Sequence, residues 1–374
     1  MSTSGGNWAA RREKKAFLAL ADGTVIRGWS CGAAADRLGE VVFNTGMTGY
    51  EEILTDPSYA GQMITLTMPE IGSTGFNRED RESAAIHAAG LLVREMNAPS
   101  NWRSEETLTE ALIRWDVPAL AGIDTRALTL KLREGGTQKA YVCASGAVSP
   151  EEAVARARAW EGLDGQDYAS KVSTPAAYDW PAEIAADAPL VAVLDYGVKR
   201  NTLRLLAGQG FRVRVLPAKS SAADVLALRP AGVMLSNGPA DPAALPYAVE
   251  TIRGLLGKVP IMGICLGHQL LGLALGGTTR RLKFGHHGCN HPVIDLRSGT
   301  VEITSQNHNY MVAADSLDPA AAEITHVSLN DRTVEGMEAK KHPAFSLQYH
   351  PEAAPGPHDA IPAFGRFRAM MERG

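Results

Sequence analysis

The heptapeptide Gly263-Ile264-Cys265-Leu266-Gly267-His268-Gln269 places a cysteine between two glycines. An apolar run, Val259 to Ile264, precedes the cysteine, and a second apolar run with helical character, Leu266 to Leu275, follows it. This order predicts a nucleophile elbow, in which a thiol sits on a sharp strand-to-helix turn and the glycines relieve crowding. The positive end of the helix dipole would favour the thiolate. The stretch therefore predicts covalent acyl chemistry carried by a strand–helix unit.

The sequence on both sides of this elbow alternates between strand-like and helix-like segments. Continuous apolar runs are typical of buried parallel strands, and helices between them cover both faces of the sheet. We therefore predict an α/β fold over residues 190–374, with an open, mostly parallel sheet flanked by helices. After residue 280 the pattern becomes β-rich. The predicted strands are Leu190–Leu194, Val213–Leu216, Gly232–Leu235, Val301–Thr304 and Ala344–Gln348, and the predicted helices are Lys199–Gly208, Ala222–Leu228 and Ala243–Leu256.

The first part of the chain has a different pattern. Residues 1–150 contain short β-like runs broken by glycine and turn signals, followed by the helical segments Leu108–Arg114 and Thr125–Arg133. This pattern predicts an N-terminal mixed α+β domain. Residues 151–189 contain Pro175, Pro181 and Pro189, and we interpret this stretch as a linker between the two domains.

Composition excludes several classes of function. The 374 residues suffice for two domains with a core each, and the net charge of −4 argues against a nucleic-acid or anionic-membrane partner. No stretch is long and apolar enough to span a bilayer, and the chain has only 4 widely spaced cysteines. Such sparse cysteines suit a reducing compartment, so we predict a cytoplasmic protein.

A thiolate nucleophile usually needs a base, and the base needs a group that orients it. His350 and Glu352 stand two residues apart at the end of an apolar strand, where period-two geometry places both side chains on one face. Glu352 could then fix the imidazole tautomer while the other ring nitrogen faces Cys265. The backbone N–H groups of Leu266 and Gly238 would stabilise an oxyanion. A lone buried cysteine is more often an inert small hydrophobe, which is the alternative for Cys265.

Two other kinds of site are not predicted. The segment His286-His287-Gly288-Cys289-Asn290-His291 is rich in metal-ligating residue types, but six consecutive residues do not readily surround a tetrahedral ion and no second cluster has suitable spacing. We therefore predict no metal. The region from Gly49 to Gly61 lacks a glycine-rich phosphate loop followed by Lys-Ser/Thr, so we predict no ATP site or other cofactor in this chain.

These motifs resemble those of the class I, triad-type glutamine amidotransferase family. The matching residues are the heptapeptide around Cys265, the loop Ser236-Asn237-Gly238-Pro239-Ala240-Asp241-Pro242, and His350-Pro351-Glu352. The first half further resembles the small, glutamine-hydrolysing chains of carbamoyl-phosphate synthase, and the resemblance covers about residues 15 to 370. The segments that carry this second resemblance are Phe43–Glu52, Thr55–Tyr59, Gly122–Leu128, Asp195–Lys199 and Phe284–Gly288.

The resemblance implies Cys265 as the nucleophile, His350 as general base and acid, and Glu352 as the group that orients it. It also implies that glutamine is hydrolysed through a glutamyl thioester and that the ammonia passes to a large ATP-dependent subunit. That partner would make carbamoyl phosphate from bicarbonate for arginine and pyrimidine synthesis, would hold ATP and magnesium, and would dock on the N-terminal domain in a heterodimer or higher oligomer. The implied glutamine-binding residues are Gly46, Gly238, Ala240, Leu266, Gln269, Asn307, Asn309 and Tyr310.

Two departures from the family pattern concern this pocket. Ala240 replaces the second glycine of the loop, and Asn309 stands where a glycine is expected. If either position needs a left-handed backbone, asparagine tolerates it better than alanine. Two alternative functions remain open at this point: a stand-alone cysteine hydrolase of γ-glutamyl substrates, and a catalytically silent interaction subunit.

Overall fold

A computed structural model of the chain describes residues 14–239 and 241–373. Contacts within the chain divide it into two units, residues 1–55 with 61–162 and residues 56–60 with 163–374. The boundaries at 150 and 190 that the sequence suggests stay a prediction. No helix among the described residues is both long and apolar enough to cross a membrane.

The first unit is built on a closed barrel with the strand order β1-β2-β8-β6-β4-β3-β9. Three neighbouring pairs, β3–β4, β4–β6 and β6–β8, are parallel, and the other pairs are antiparallel. The short strands β5 and β7 form a separate parallel pair. The strands are β1 (Lys15–Leu20), β2 (Val25–Ser30), β3 (Asp36–Asn44), β4 (Gln62–Leu66), β5 (Glu70–Ile71), β6 (Gly90–Leu92), β7 (Glu95–Met96), β8 (Ala119–Ala121) and β9 (Gln138–Cys143). The helices are α1 (Tyr50–Thr55), α2 (Leu108–Arg114), α3 (Thr125–Gly135) and α4 (Pro150–Ala159).

Helix α4 shows how local sequence and packing agree in this unit. Ser149 caps the helix through the amide of Glu152, and Pro150 occupies the first turn, where its missing N–H costs no hydrogen bond. The buried face carries Ala153 and Ala157, which pack with the side chains of β1 and β9. The segment from residue 151 therefore starts with a helix that belongs to the first unit.

The second unit contains one sheet of 10 strands in the order β10-β12-β11-β13-β14-β19-β18-β17-β15-β16. Strands β12, β11, β13, β14 and β19 are parallel neighbours, and the remaining pairs are antiparallel. The strands are β10 (Tyr178–Asp179), β11 (Leu190–Asp195), β12 (Arg212–Pro217), β13 (Gly232–Leu235), β14 (Ile261–Ile264), β15 (Thr279–Asp295), β16 (Val301–Val312), β17 (Ala322–Ser328), β18 (Val334–Ala339) and β19 (Ala344–Leu347). The helices are α5 (Ala169–Val172), α6 (Arg200–Gly208), α7 (Ala222–Ala227), α8 (Pro246–Leu255), α9 (Leu266–Ala274) and α10 (Pro362–Glu372).

Helices cover both faces of the parallel part of this sheet. Helices α7, α8 and α9 pack on one face, where Ile252 and Leu270 are fully buried. Helices α6 and α10 pack on the other face through side chains such as Leu206 and Phe367. The predicted α/β class, with a mixed N-terminal domain, is confirmed. The carboxyl ends of β13, β14 and β19 meet at one edge, which is where ligands bind in such sheets.

Candidate active site

Cys265 sits on the predicted turn between β14 and α9, with a strained backbone at φ 52° and ψ −103°. Its amide donates to the carbonyl oxygen of Leu347 at 2.9 Å. A Cβ on Gly263 would lie 2.7 Å from the carbonyl oxygen of Gly267, and a Cβ on Gly267 would lie 2.2 Å from that of Leu235. Both glycines are therefore required by close packing of the helix against the strands, and this packing holds the thiol on the turn.

His350 and Glu352 follow strand β19 and are both buried. The Nδ1 atom of His350 lies 2.6 Å from Oε1 of Glu352, and the His350 amide donates to the carbonyl of Ser305 at 2.9 Å. The same carboxylate oxygen lies 3.0 Å from Nζ of the buried Lys199. Lys199 also donates to the carbonyl of Ala353. The carboxylate is thus held between an imidazole and an ammonium.

This arrangement shifts the pKa values of His350 and Glu352 in opposite directions. Burial alone would lower the pKa of His350, but the charges of Glu352 and Cys265 beside it raise that pKa to about 10. Burial alone would raise the pKa of Glu352, but Lys199 and His350 lower it to about 2. The imidazolium and the carboxylate therefore coexist at neutral pH. None of the described residues gives Nε2 of His350 a hydrogen bond of ordinary geometry, which leaves this atom free for a reacting group.

Strand β16 forms a polar wall next to the thiol. The Cys265 Sγ lies 3.5 Å from the carbonyl oxygen of Asn307. The ring of His287 joins the two asparagines of this strand, with Nδ1 3.1 Å from Oδ1 of Asn307 and Nε2 3.0 Å from Oδ1 of Asn309. Asn309 does not have a left-handed backbone, because its φ is not positive. The side-chain Nδ2 of Asn307 donates to Oδ2 of Asp56 at 3.1 Å.

Tyr310 belongs to the same strand, β16, and Gln269 of helix α9 contacts it. Gln269 uses its side-chain NH₂ group within the protein, donating to the Tyr310 carbonyl at 2.8 Å and to Oε1 of Gln348 at 3.1 Å. The Tyr310 hydroxyl donates to Asp164. These bonds tie helix α9 to β16, so Gln269 also fixes the position of the strand.

The loop after β13 lies against the elbow. Asn237 donates from Nδ2 to the Gly197 carbonyl at 2.9 Å and to Ser58 Oγ at 3.0 Å. A Cβ on Gly238 would lie 2.0 Å from the Tyr196 carbonyl oxygen and 3.1 Å from a methyl carbon of Leu266, so only glycine fits. The Leu266 amide opens helix α9, where N–H groups lack partners within the helix.

Two of the residues implied in glutamine binding are not among those described above. Ala240 lies outside the described residues. Gly46 belongs to the first unit, where it follows β3 and donates its amide to Oδ1 of Asn44 at 2.7 Å.

Sequence reasoning missed several residues that hold the site in place. Lys199 stands in the segment Asp195–Lys199, which was noticed only as part of a resemblance. His287 lies in the histidine-rich segment 286–291 and in Phe284–Gly288, and neither pattern marks it as a support of the site. Nothing in the local sequence marks Gln348 or Asp56 as supports, because their partners are distant in the chain.

The sequence of the chain is similar to those of known proteins along nearly its whole length. Residues 18–142 match the family model "Carbamoyl-phosphate synthase small chain, CPSase domain", and residues 192–370 match "Glutamine amidotransferase class-I". The carbamoyl phosphate synthase small chain of Thioalkalivibrio sulfidiphilus is 51% identical over 370 residues, covering 96% of this chain and 97% of the relative. That of Ralstonia nicotianae is 52% identical, covering 95% and 97%. The chloroplastic small chain of Oryza sativa is 47% identical, covering 96% of this chain and 82% of the relative.

With about half of its residues identical to those of these relatives along nearly its whole length, the chain belongs to the carbamoyl-phosphate synthase small-chain family.

Proposed function

We propose that Cys265, His350 and Glu352 hydrolyse the side-chain amide of glutamine through a glutamyl thioester. As a member of its family, the chain is a glutamine amidotransferase that supplies ammonia for carbamoyl phosphate synthesis. The observation that carries the residue assignment is the strained Cys265 at the start of α9 together with the buried, charged His350–Glu352 pair.

The chemistry runs in two steps. The thiolate of Cys265 attacks the amide carbon, and the amides of Leu266 and Gly238 stabilise the oxyanion. His350 gives its Nε2 proton to the leaving nitrogen, the C–N bond breaks, and ammonia departs. Neutral His350 then takes a proton from water, the hydroxide attacks the thioester, and the C–S bond breaks to release glutamate and regenerate the thiolate.

Glutamine would lie along strand β16. We assign glutamine binding to the residues of the implied set that belong to the second unit, namely Gly238, Leu266, Gln269, Asn307, Asn309 and Tyr310. Their amides, carbonyls and hydroxyl supply donors and acceptors for the substrate's α-ammonium and α-carboxylate. Ala240 and Gly46 complete the proposed set.

The partner of the chain is a large subunit, as the small-chain name of its relatives implies. We propose that this subunit binds ATP and magnesium, that the present chain needs no cofactor, and that the two form a heterodimer or a higher oligomer in the cytoplasm. Docking is assigned to the first unit, which exposes Trp102 at 91% and Met47 at 72%. Large apolar side chains of this kind are favoured at protein interfaces.

The replacement Cys265→Ser in the complex tests this function. Glutamine-dependent carbamoyl phosphate synthesis should fall by several orders of magnitude, while synthesis from free ammonia should continue at the rate of the unmodified complex. Glutamine-dependent synthesis that survives in this variant would refute the assignment. A fast rate of glutamine hydrolysis that ignores the large subunit would instead favour a stand-alone hydrolase.

A further inference from the structure

We propose that His286, His308 and Glu335 form a binding site for one zinc ion in the second unit, behind the strand that lines the thiol. The three residues come from different strands, β15, β16 and β18, and are buried. One ring nitrogen of each histidine and one carboxylate oxygen all lie within 4.8 Å of one another. Two imidazoles and one carboxylate are a ligand set that zinc prefers.

His286 is arranged as a metal-binding histidine would be. Its Nε2 lies 2.8 Å from Oδ2 of Asp331, so this nitrogen carries a hydrogen that a carboxylate accepts. Its Nδ1 is buried, has no hydrogen-bond partner of ordinary geometry among the described residues, and lies 3.5 Å from Oε1 of Glu335. Burial lowers the pKa of this ring, but Asp331 and Glu335 raise it to about 9. A metal-ligating histidine usually donates its other N–H to a carboxylate in this way. Nδ1 of His286 therefore faces the carboxylate of Glu335, and a zinc ion bound between them would displace the proton from this nitrogen.

His308 shows the same pattern with a backbone acceptor. Its Nδ1 lies 2.7 Å from the carbonyl oxygen of Tyr310, which can only accept, so the hydrogen is on Nδ1. Its Nε2 lies 2.9 Å from Oε1 of Gln306, while the NH₂ group of Gln306 donates to Glu335 at 2.9 Å. In a neutral ring, the lone pair of His308 Nε2 then faces a lone pair of Gln306 Oε1 across 2.9 Å. A cation bound between them would replace repulsion by attraction.

The size of the cluster suits zinc after a small closure. Zinc binds nitrogen and oxygen at about 2.0–2.2 Å in tetrahedral geometry, so its ligand atoms stand roughly 3.4 Å apart. Rotation of side chains within the cluster would bring the three ligands to that separation. The amide oxygen of Gln306 or a water molecule would complete the four positions.

The sequence did not predict this site because its ligands are not neighbours in the chain. Only His286 belongs to the histidine-rich segment 286–291, and the other two ligands are brought to it by the pairing of β15 with β16 and by the sheet beyond. The site is linked to the substrate wall, because the Tyr310 carbonyl accepts from both His308 and Gln269. An ion there would fix strand β16 behind the thiol.

The test is zinc stoichiometry on the purified full chain. The chain is stripped with a chelator, titrated with zinc, dialysed, and analysed for bound metal by mass spectrometry. We expect one zinc per chain in the unmodified protein. Glu335→Gln, which keeps size and shape, should lower the affinity for zinc by more than about a hundredfold, and Asp331→Asn by about 10- to 100-fold.

Two control variants separate this site from others. Cys265→Ser must keep the zinc, because a thiolate beside a histidine could bind zinc by itself. His326→Asn, which removes a buried histidine of β17 outside the ligand set, must also keep it. Cobalt(II) added in place of zinc should give absorption bands typical of nitrogen and oxygen ligands without a thiolate charge-transfer band.

Three results would overturn the proposal. The first is that the unmodified chain retains no zinc. The second is that the Cys265→Ser variant no longer binds zinc. The third is that Glu335→Gln and Asp331→Asn both bind zinc as tightly as the unmodified chain. Circular dichroism of each variant checks that it folds. If Glu335→Gln does not fold, Asp331→Asn decides, because the Asp331 side chain is 41% exposed and its amide analogue leaves the core unchanged.

Discussion

At the scale of single residues, the site depends on charges that are buried together. Glu352 holds His350 at 2.6 Å and Lys199 at 3.0 Å. Each partner alone would be costly to bury, and together they keep a cation next to the thiol. His350, the proposed acid, therefore owes much of its charged state to one carboxylate.

Replacing Glu352 by Gln should change the pH profile of glutamine hydrolysis. The carboxylate is a main reason why the pKa of His350 is raised to about 10, so its loss lowers that pKa. The proton donor is then lost at lower pH, and the alkaline limb of kcat should move to lower pH, along with a fall in kcat. Stopped-time assays of glutamate release across pH measure this. An unchanged alkaline limb would contradict the proposed role of Glu352.

Replacing Lys199 by Met should destabilise the fold as well as the site. Removing Lys199 leaves the buried carboxylate of Glu352 with His350 as its cationic partner, and breaking a buried ion pair in this way costs up to about 3–5 kcal/mol in the free energy of unfolding. Folding lowers the pKa of Glu352 from 4.5 to about 2. The contribution of ionised Glu352 to the free energy of unfolding is thus complete above pH 4.5 and is lost as the pH falls toward 2. In the Lys199→Met variant this loss of stability at low pH should be smaller.

Urea unfolding at several pH values makes that measurement. The matched control is Arg280→Met, since Arg280 pairs with Asp315 on the surface, where both side chains are more than half exposed. Its effect should stay below about 1 kcal/mol. Equal effects of the two variants would mean that the Lys199 pair does not stabilise the fold.

At the scale of secondary-structure elements, the elbow depends on the close approach of α9 to the strands. We expect Gly267→Ala to abolish most of the activity, because the new Cβ would lie 2.2 Å from the backbone oxygen of Leu235 and would push the helix away. The control is Gly365→Ala in α10, where nothing lies within 4 Å of the added Cβ. This control should keep full activity and gain about 0.5–1 kcal/mol in stability.

Glutamate release and thermal unfolding of both variants give the comparison. Full activity of Gly267→Ala would show that the turn tolerates a wider spacing, and the elbow would then not position the thiol as described.

Elements with a strong local pattern could be predicted from the sequence. The strand Gly232–Leu235 and the helix Leu108–Arg114 have the predicted bounds, because a short apolar run or a helical period reports burial directly. The long strand β15 was missed. Its central residues are polar, Gly285 has φ 71°, and its pairing with β16 shifts register twice. A strand of this kind has no period-two pattern to detect.

The closure of the barrel and the contacts that support the site could not be predicted from local sequence pattern. Closure of the first unit depends on β9 pairing with both β1 and β3, which are distant in sequence. The triad was proposed from motifs, whereas Lys199 and His287 acquire their contacts only through the sheet. The pairing of strands that are distant in the chain brings Lys199 and His287 to their partners, and this pairing cannot be predicted from single segments.

At the scale of the whole molecule, we expect the chain to bind a second, larger chain. Trp102→Ser should weaken the complex with the large subunit by about tenfold or more, because exposed tryptophans often dominate binding at interfaces. Stability of the isolated chain should not change, since the side chain is 91% exposed. Analytical ultracentrifugation of the mixed chains provides the dissociation constant.

The control for this prediction is Leu296→Ser, which removes an apolar side chain that is 48% exposed in the second unit. We expect it to leave the affinity for the large subunit unchanged. If Leu296→Ser weakens the complex and Trp102→Ser does not, docking does not take place through the first unit.

If Cys265 carries the acyl group of glutamine, a glutamyl thioester forms on its sulfur during turnover. Trapping this thioester is the most direct test of the proposed mechanism. The complex with its large subunit, ATP and bicarbonate is mixed with labelled glutamine, quenched in acid and digested, and the peptides are analysed by mass spectrometry. We expect a glutamyl group on the peptide that contains Cys265. This group should be absent in Cys265→Ser and lost when the quench follows exhaustion of glutamine. Labelled glutamate released at the normal rate by Cys265→Ser, or a glutamyl group on another residue, would contradict the proposed mechanism.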